Sequence, residues 1–312
     1  PTEWVMPDGY PDLSHAREVA IDLETRDPNL TTMGSGWARK DGHIIGVAVA
    51  VEGDQWYFPI RHELGPNLDP KTTLRWLQDV VSIDRDYVFH NAPYDVGWML
   101  AEGVSVKGRI VDTMVVAPLL DENRFSYALN AIGRDYLQER KSEKELREAA
   151  EAFGVNAKSE MFKLPAAYVG AYAEQDAALT LRLWTFFKGL IIKEDIGDIF
   201  DLELKVLKTI IPMRQRGVRV DLEKAERIKI DLEQREKKLL AEIKRQSGIA
   251  VELWAAESVS KAFDALNLEY NKTEKTGAPS FTKGFLANHP HEVPKMIVEA
   301  REFNKARTTF VD

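Results

Sequence analysis

Three short apolar runs between residues 16 and 60 constrain the fold most. AREVAIDLET ends in acids, HIIGVAVAVEG follows the glycine-rich turn GSGWARKDGH, and QWYFPI follows the turn EGD. Runs of this length bounded by turn residues read as strands, and strands joined by short turns pair as an antiparallel meander. After residue 60 the pattern alternates. PKTTLRWLQDVVS has apolar residues at helical spacing with Pro70 near its start. DYVFHN is a short strand, and APYDVGWMLAEG is a helix with Gly103 as its stop. RIVDTMVVAPLL begins as a strand at Ile110–Asp112 and turns helical. A meander followed by alternating strand and helix predicts an α/β domain with a mixed sheet.

Residues 125–192 read as mostly helical, with a charged helix face in RKSEKELREAAEAFG and a loop at GVNAKSEMFKLP. YVGAYAEQDAALTLRLWTFFKGL is a long helix whose apolar face is Leu179, Leu183 and Phe186 or Phe187. Beyond residue 192 the chain becomes largely helical. One helix carries Pro212 inside it and ends at Gly217; a second starts at the cap Asp221 and stops at Gly248. Shorter helices follow, split by the polar loop NKTEKTGAPS. The expected domains are residues 1–192 and 193–312.

Charge differs along the chain. The first 192 residues hold 20 basic and 29 acidic residues, and the remainder 22 and 21. A net charge of −8 argues against a generic basic nucleic-acid binder. It leaves room for a site where bound cations reverse the local sign. The chain has no cysteine, which excludes disulfides and cysteine zinc sites and is compatible with a reducing cytoplasm. No apolar run approaches the about 18 residues that suggest a membrane span, and PTEWVMPDGYPDL lacks a secretory pattern.

Five residues carry candidate chemistry. Asp22 and Glu24 lie two apart on a predicted strand, so both point to one face. Two carboxylates so placed can share a hard divalent cation. The triplet DLE occurs at Asp22, Asp201, Asp221 and Asp231, but only Asp22 follows a β-like run, Val19–Ile21. Acids near a sheet interior are costly unless paired or metal-bound. The other three copies sit on helices or at a helix start, where acids are ordinary. Asp95 falls in the first turn of a predicted helix, where an acid also serves the helix dipole. Asn91 before it suits a turn or a cap. Tyr172 and Asp176, four apart on a helix, share a face; a half-buried tyrosine beside an exposed acid is the bland alternative.

Together VAIDLET, NAPYDVGW and YAEQDAALT resemble the three motifs of the proofreading 3′–5′ exonucleases with an Asp-Glu-Asp-Asp tetrad. The tyrosine variant is indicated: Tyr172 precedes Asp176 by four, and Ala171 stands where the histidine variant wants its histidine. The resemblance covers roughly residues 16–190 and is closest to the exonuclease domain of family A, polymerase I-like DNA polymerases, particularly bacteriophage ones. It implies a ribonuclease H-like mixed five-stranded sheet flanked by helices. It implies two divalent metal ions, Mg2+ or Mn2+, held by Asp22, Glu24, Asp95 and Asp176, with Tyr172 orienting the attacking water. The implied substrate is a single-stranded or frayed DNA 3′ end, contacted by Thr25, Asn91, Tyr94 and, as an apolar wedge, Leu30. His90 is a further residue at the strand end, and His289 and His291 read as surface residues.

LKVLKTIIPMRQRGVRVD resembles the junction to the polymerase region, and YNKTEKTGAPSFTKGFL with VPKMIVEAREFNKARTTFVD resembles the start of a thumb. The motifs of palm and fingers are not in this sequence, so no polymerase activity is expected of it alone, and the rest of a polymerase is its implied partner. The expected location is the cytoplasm of a bacterial host, with no membrane association. Two rivals remain: a ribonuclease D-like exonuclease acting on RNA, and a non-catalytic scaffold with the same fold.

Overall fold

The second strand sets the layout of the sheet. In HIIGVAVAV every residue between the two ends is buried, as expected of a strand covered on both faces. It is the inner strand of the meander. The computed structural model describes residues 3–139 and 142–312. Arg140 and Lys141, which open the charged stretch RKSEKELREAAEAFG, and the first two residues of PTEWVMPDGYPDL lie outside the described residues.

Strand β1 (Glu18–Arg26) is followed by a single helical turn, α1 (Leu30–Met33), then β2 (His43–Val51) and β3 (Asp54–Pro59). Helix α2 (Pro70–Val80) starts at Asp69, whose carboxylate accepts from the Thr72 N–H at 2.8 Å; Pro70 takes the first helical position. β4 (Asp86–Phe89), α3 (Ala92–Ala101), β5 (Arg109–Asp112) and α4 (Thr113–Leu120) complete the alternating part. The sheet order is β3-β2-β1-β4-β5: β1, β2 and β3 are antiparallel neighbours, and β4 and β5 run parallel to β1. The mixed five-stranded sheet flanked by helices is therefore the one expected.

α5 (Leu129–Ile132) runs into one wider-wound turn, and α6 (Lys144–Phe153) precedes α7 (Gly170–Lys193). α7 lies across β1, β2, β3 and β4. Its buried face holds Leu179, Leu183 and Phe187, while Phe186 is the exposed one of the aromatic pair.

The first compact unit runs on past residue 192, to Val218. α8 (Gly197–Arg216) places Phe200, Leu204, Leu207 and Ile211 in the same core as the sheet. Their spacing of three to four buries one stripe of the helix, so the helix goes with the first unit and not with the C-terminal one. The second unit, Arg219–Asp312, has its own core around Ile243, Phe263, Leu286 and Ile297. It consists of α9 (Leu222–Ser247), capped by Asp221 as expected, α10 (Ala256–Ala265), α11 (Lys283–Ala287) and α12 (Glu292–Phe310). The stretch expected as a polar loop is a small hairpin, with β6 (Asn271–Lys272) paired to β7 (Pro279–Ser280). The hydroxyls of Thr273 and Thr276, 2.7 Å apart, close its turn.

Candidate active site

The parallel strands β1 and β4 pair only from Glu18↔Asp86 to Ala20↔Val88. Beyond Ala20 the edge of β1 is open to the helix that follows β4. Asp95, in the first turn of α3, enters there and accepts a hydrogen bond from the Leu23 N–H at 3.0 Å. The crevice beyond the carboxyl ends of parallel strands is where ligands bind in open α/β sheets.

Asp22 and Glu24 stand half-buried on one face of β1. Opposite them on β2 are Ala48 and Gly46, and opposite Ala48 on β3 is Tyr57. Ala48 and Gly46 are both small, and the Tyr57 side chain fills the space over Gly46. Gly46 is obligatory, since a Cβ there would lie 2.0 Å from the Tyr57 hydroxyl. The register shifts between Glu24 and Thr25, so that Thr25 pairs with Ile44 and Ile45 is the extra residue. Such a bulge re-aims the side chains after it.

α7 brings the third segment. Asp176 is buried and Tyr172 half-buried in its first two turns. The Tyr172 hydroxyl donates to Asp176, and burial together with the charges of Glu24, Asp176 and Asp22 pushes its ionisation well above the usual tyrosine range. Asp95 is pushed well above the carboxylate range, first by burial and then by the charge of Asp22; the Leu23 N–H opposes the shift. Tyr57 is raised by burial and by the same pair, Glu24 and Asp22. Asp22 thus links the two sets, acting on Asp95 and, with Glu24 and Asp176, on Tyr172. Asp95 lies in the first turn of α3, as its helix-dipole reading also expects, but is buried there, and Asp176 is buried rather than exposed.

Hard carboxylate oxygens from three segments, with no thiol or imidazole among them, suit a divalent cation such as Mg2+ or Mn2+. Among the described residues, no group of three or more His, Asp or Glu side chains is arranged to hold a metal ion as it stands. What links these residues is the field they share rather than a closed ligand cage.

The expected nucleotide contacts divide into two sets. Thr25 Oγ1 and the Tyr94 hydroxyl lie 2.6 Å apart beside the tetrad. Asn91 is exposed and left-handed at φ 76°; it makes the turn into α3 but its side chain caps nothing. Leu30 is 42% exposed on α1, which the Asp27 carbonyl anchors by accepting from the Leu30 N–H at 3.3 Å. His90 places Nδ1 2.9 Å from Thr113 Oγ1, which ties it to the start of α4. His291 caps α12 and accepts from the Val293 N–H, a structural use of a residue expected only to be at the surface.

Two buried acids escaped the sequence reading. Asp112 accepts from the N–H groups of Asn91, Ala92 and Met114 at 2.8–2.9 Å, which fixes the turn that presents Asp95. Burial raises its carboxyl and those three donors hold it down. Its signal was an acid closing the apolar run RIV, the same signal that marked Asp22. Asp27 is 8% exposed and accepts from the Gly36 N–H at 3.0 Å. The loop it anchors packs Trp37 on α3 at Gly97, where a Cβ would come within 2.3 Å of the indole.

A family model described as 3′-5′ exonuclease matches residues 10–192. A DNA-directed DNA polymerase of Pseudomonas phage M6 is 34% identical over 99% of this chain and 48% of its own length. DNA polymerase DpoZ of Salmonella phage PMBT28 is 29% identical over 97% of this chain and 48% of its own length. DNA polymerase I of Pseudomonas aeruginosa is 25% identical over 96% of this chain and 33% of its own. The chain spans about half the length, or less, of these curated relatives. Among solved structures, the POL domain of Pol1 from M. smegmatis, in complex with DNA primer-template and dNTP, matches with a TM-score of 0.69. That match has 16% identity and covers 95% of this chain and 47% of that one. At this identity it speaks to the fold alone.

Proposed function

This chain belongs to the family of 3′-5′ exonuclease domains found in family A DNA polymerases, and on that premise we propose that it removes nucleotides from a single-stranded or frayed DNA 3′ end, as the proofreading part of a polymerase. The observation that carries the reading is the convergence of Asp22, Glu24 and Asp176 on the Tyr172 hydroxyl, with Asp95 facing Asp22.

Asp22, Glu24, Asp95 and Asp176 would hold two divalent cations, Mg2+ or Mn2+. When bound, these supply Lewis-acid stabilisation of the charge that develops on phosphate and leaving oxygens. The chain's own groups do the rest. Tyr172, whose proton is held firmly by burial and three neighbouring carboxylates, remains a hydroxyl at neutral pH. It orients the attacking water in line with the terminal phosphodiester. Asp112 and the Leu23–Asp95 hydrogen bond fix the second motif against β1, so the reacting groups need little reorganisation. The product is a nucleoside 5′-monophosphate. A mismatch lowers the cost of unpairing the terminal nucleotide by a few kcal/mol, one physical source of selectivity.

Residues 1–192 carry this activity, and the second unit, Arg219–Asp312, resembles the start of a polymerase region. Its phage relatives support the cytoplasm of a bacterial host as its location. Among the described residues no helix is long and apolar enough to cross a membrane. The test is degradation of labelled DNA and RNA with matched and mismatched 3′ ends, in Mg2+ or Mn2+ and in EDTA. Metal-dependent release of 5′-mononucleotides from DNA is the expected result. Cleavage of RNA alone would favour a ribonuclease D-like enzyme, and cleavage of neither a scaffold.

A further inference from the structure

The tetrad leaves one buried acid without a task. Asp27, one residue beyond β1, is buried, and its Oδ1 has no hydrogen-bond partner among the described residues. Its Oδ2 accepts from the Gly36 N–H at 3.0 Å and from the Tyr94 hydroxyl at 3.3 Å. The Tyr94 hydroxyl is in turn 2.6 Å from Thr25 Oγ1. A carboxylate taken out of water with one oxygen unsatisfied is costly. What it does for its two donors is its visible return.

The three side chains form a chain with a direction. A carboxylate only accepts, and a tyrosine hydroxyl has a single proton. The Tyr94 hydroxyl gives that proton to Asp27 Oδ2, 3.3 Å away. Given to Asp27, it is not available to Thr25. The 2.6 Å contact must then be made with the Thr25 proton, which points back at Tyr94. Any group that meets Thr25 Oγ1 from outside therefore meets lone pairs only. A hydroxyl can donate to such an atom, whereas the oxygens of a phosphate ester offer it nothing at neutral pH.

We propose that Asp27 is a positioning residue: through Tyr94 it fixes the Thr25 hydroxyl as an acceptor for the terminal hydroxyl of the strand being degraded. Through Gly36 it also ties the loop after β1 to the end of that strand. The inference rests on the exonuclease reading and deepens it, since it gives Asp27 a role in presenting Thr25 to the strand end.

The full chain is assayed with Mg2+ on single-stranded oligodeoxynucleotides that differ only in ending with a 3′-hydroxyl, a 3′-hydrogen or a 3′-phosphate. The readout is kcat/KM for release of the terminal nucleotide. The wild type is expected to favour the hydroxyl over the hydrogen by about tenfold, the worth of one uncharged hydrogen bond, and to disfavour the phosphate further. Asp27→Asn keeps a carbonyl oxygen for both donors and should keep the hydroxyl-to-hydrogen ratio within about twofold. Asp27→Ala should bring the ratio close to one. Tyr94→Phe, which removes a single oxygen, should do the same and answers the question if Asp27→Ala does not fold. Activity with no preference for the hydroxyl, or a Tyr94→Phe ratio equal to the wild type, overturns the inference alone. A wild type inactive on every end in Mg2+ and Mn2+ overturns the exonuclease reading and the inference with it.

Discussion

Asp95 takes the backbone N–H of Leu23, the residue between Asp22 and Glu24, at 3.0 Å. One hydrogen bond thereby locks the second motif to the first across 72 residues of sequence. It also sets a conflict, because the same carboxylate is buried and faces Asp22, and its protonated form is favoured in the fold. A carboxyl whose folded value is raised weakens the folded state when ionised; the penalty is complete above that value and fades as pH falls from it toward the unfolded chain's value of about 4. Asp95→Asn keeps an acceptor for Leu23 and removes the charge. In EDTA at about pH 7.5 it should unfold at higher urea concentration than the wild type, and the advantage should shrink at about pH 5. Asp95→Ala, which leaves the N–H unsatisfied, should gain less. A less stable Asp95→Asn would show that the electrostatic reading of this pair is wrong.

Asp22 bears on Asp95, Tyr172 and Tyr57 alike. Asp22→Ala should cost more than about 100-fold in nucleotide release, exceeding the roughly 10- to 100-fold typical of losing a residue that merely supports a ligand. Circular dichroism should be unchanged, and the midpoint in urea equal to or above that of the wild type. Retention of most of the activity would remove Asp22 from the proposed chemistry.

Tyr172→Phe separates holding a cation from orienting water. The hydroxyl donates to Asp176 but is neutral, so its removal should leave Mn2+ affinity, read by titration calorimetry, within about threefold of the wild type. Single-turnover cleavage should slow by about 100-fold, at the low end of positioned proton-transfer groups. Parallel losses in affinity and rate would mean that the tyrosine acts by supporting the ligands.

The sheet was legible because local chemistry and global position agree. β2 reads as an unbroken apolar run because both faces are covered, and Asp69 and Pro70 announce α2 by themselves. Asp22 was legible because it breaks the pattern of a strand. Asp95 and Tyr172 were legible only through their resemblance to known motifs, since an acid in a first helical turn is commonplace. Asp27 was not legible at all, and Asp112 showed only as an acid closing a short strand. Their partners are the N–H groups of Asn91, Ala92 and Gly36, and backbone groups carry no sequence signature. The stripe Phe200, Leu204, Leu207 and Ile211 announced an amphipathic helix without saying which core it completes. That is why the first unit extends beyond residue 192.

His62 offers a test of the sheet edge that does not touch the tetrad. It is buried, with Nδ1 2.8 Å from the Leu164 carbonyl oxygen and Nε2 2.7 Å from the Tyr57 hydroxyl. The carbonyl only accepts, so Nδ1 carries the proton and Nε2 accepts from Tyr57. Tyr57 keeps its proton because burial and the charges of Glu24 and Asp22 forbid its loss. The neutral ring is thus fixed from both sides, and burial lowers His62 to about 4, against the lesser opposing effect of the Leu164 carbonyl. The unfolded chain takes up a proton near pH 6.5 and the folded chain only near 4. Stability from this group is therefore complete above pH 6.5 and declines as pH falls from there to about 4. At about 1.4 kcal/mol per unit of difference, the decline amounts to about 3 kcal/mol. Urea denaturation of the wild type between about pH 7.5 and 4 should show it on top of the contribution of the carboxylates. His62→Gln retains a donor and an acceptor and does not titrate, so it should be the less stable protein at about pH 7.5 yet lose less on acidification. Equal slopes for the two proteins would mean that His62 is protonated in the fold, and the hydrogen bond from Tyr57 would have to be reversed.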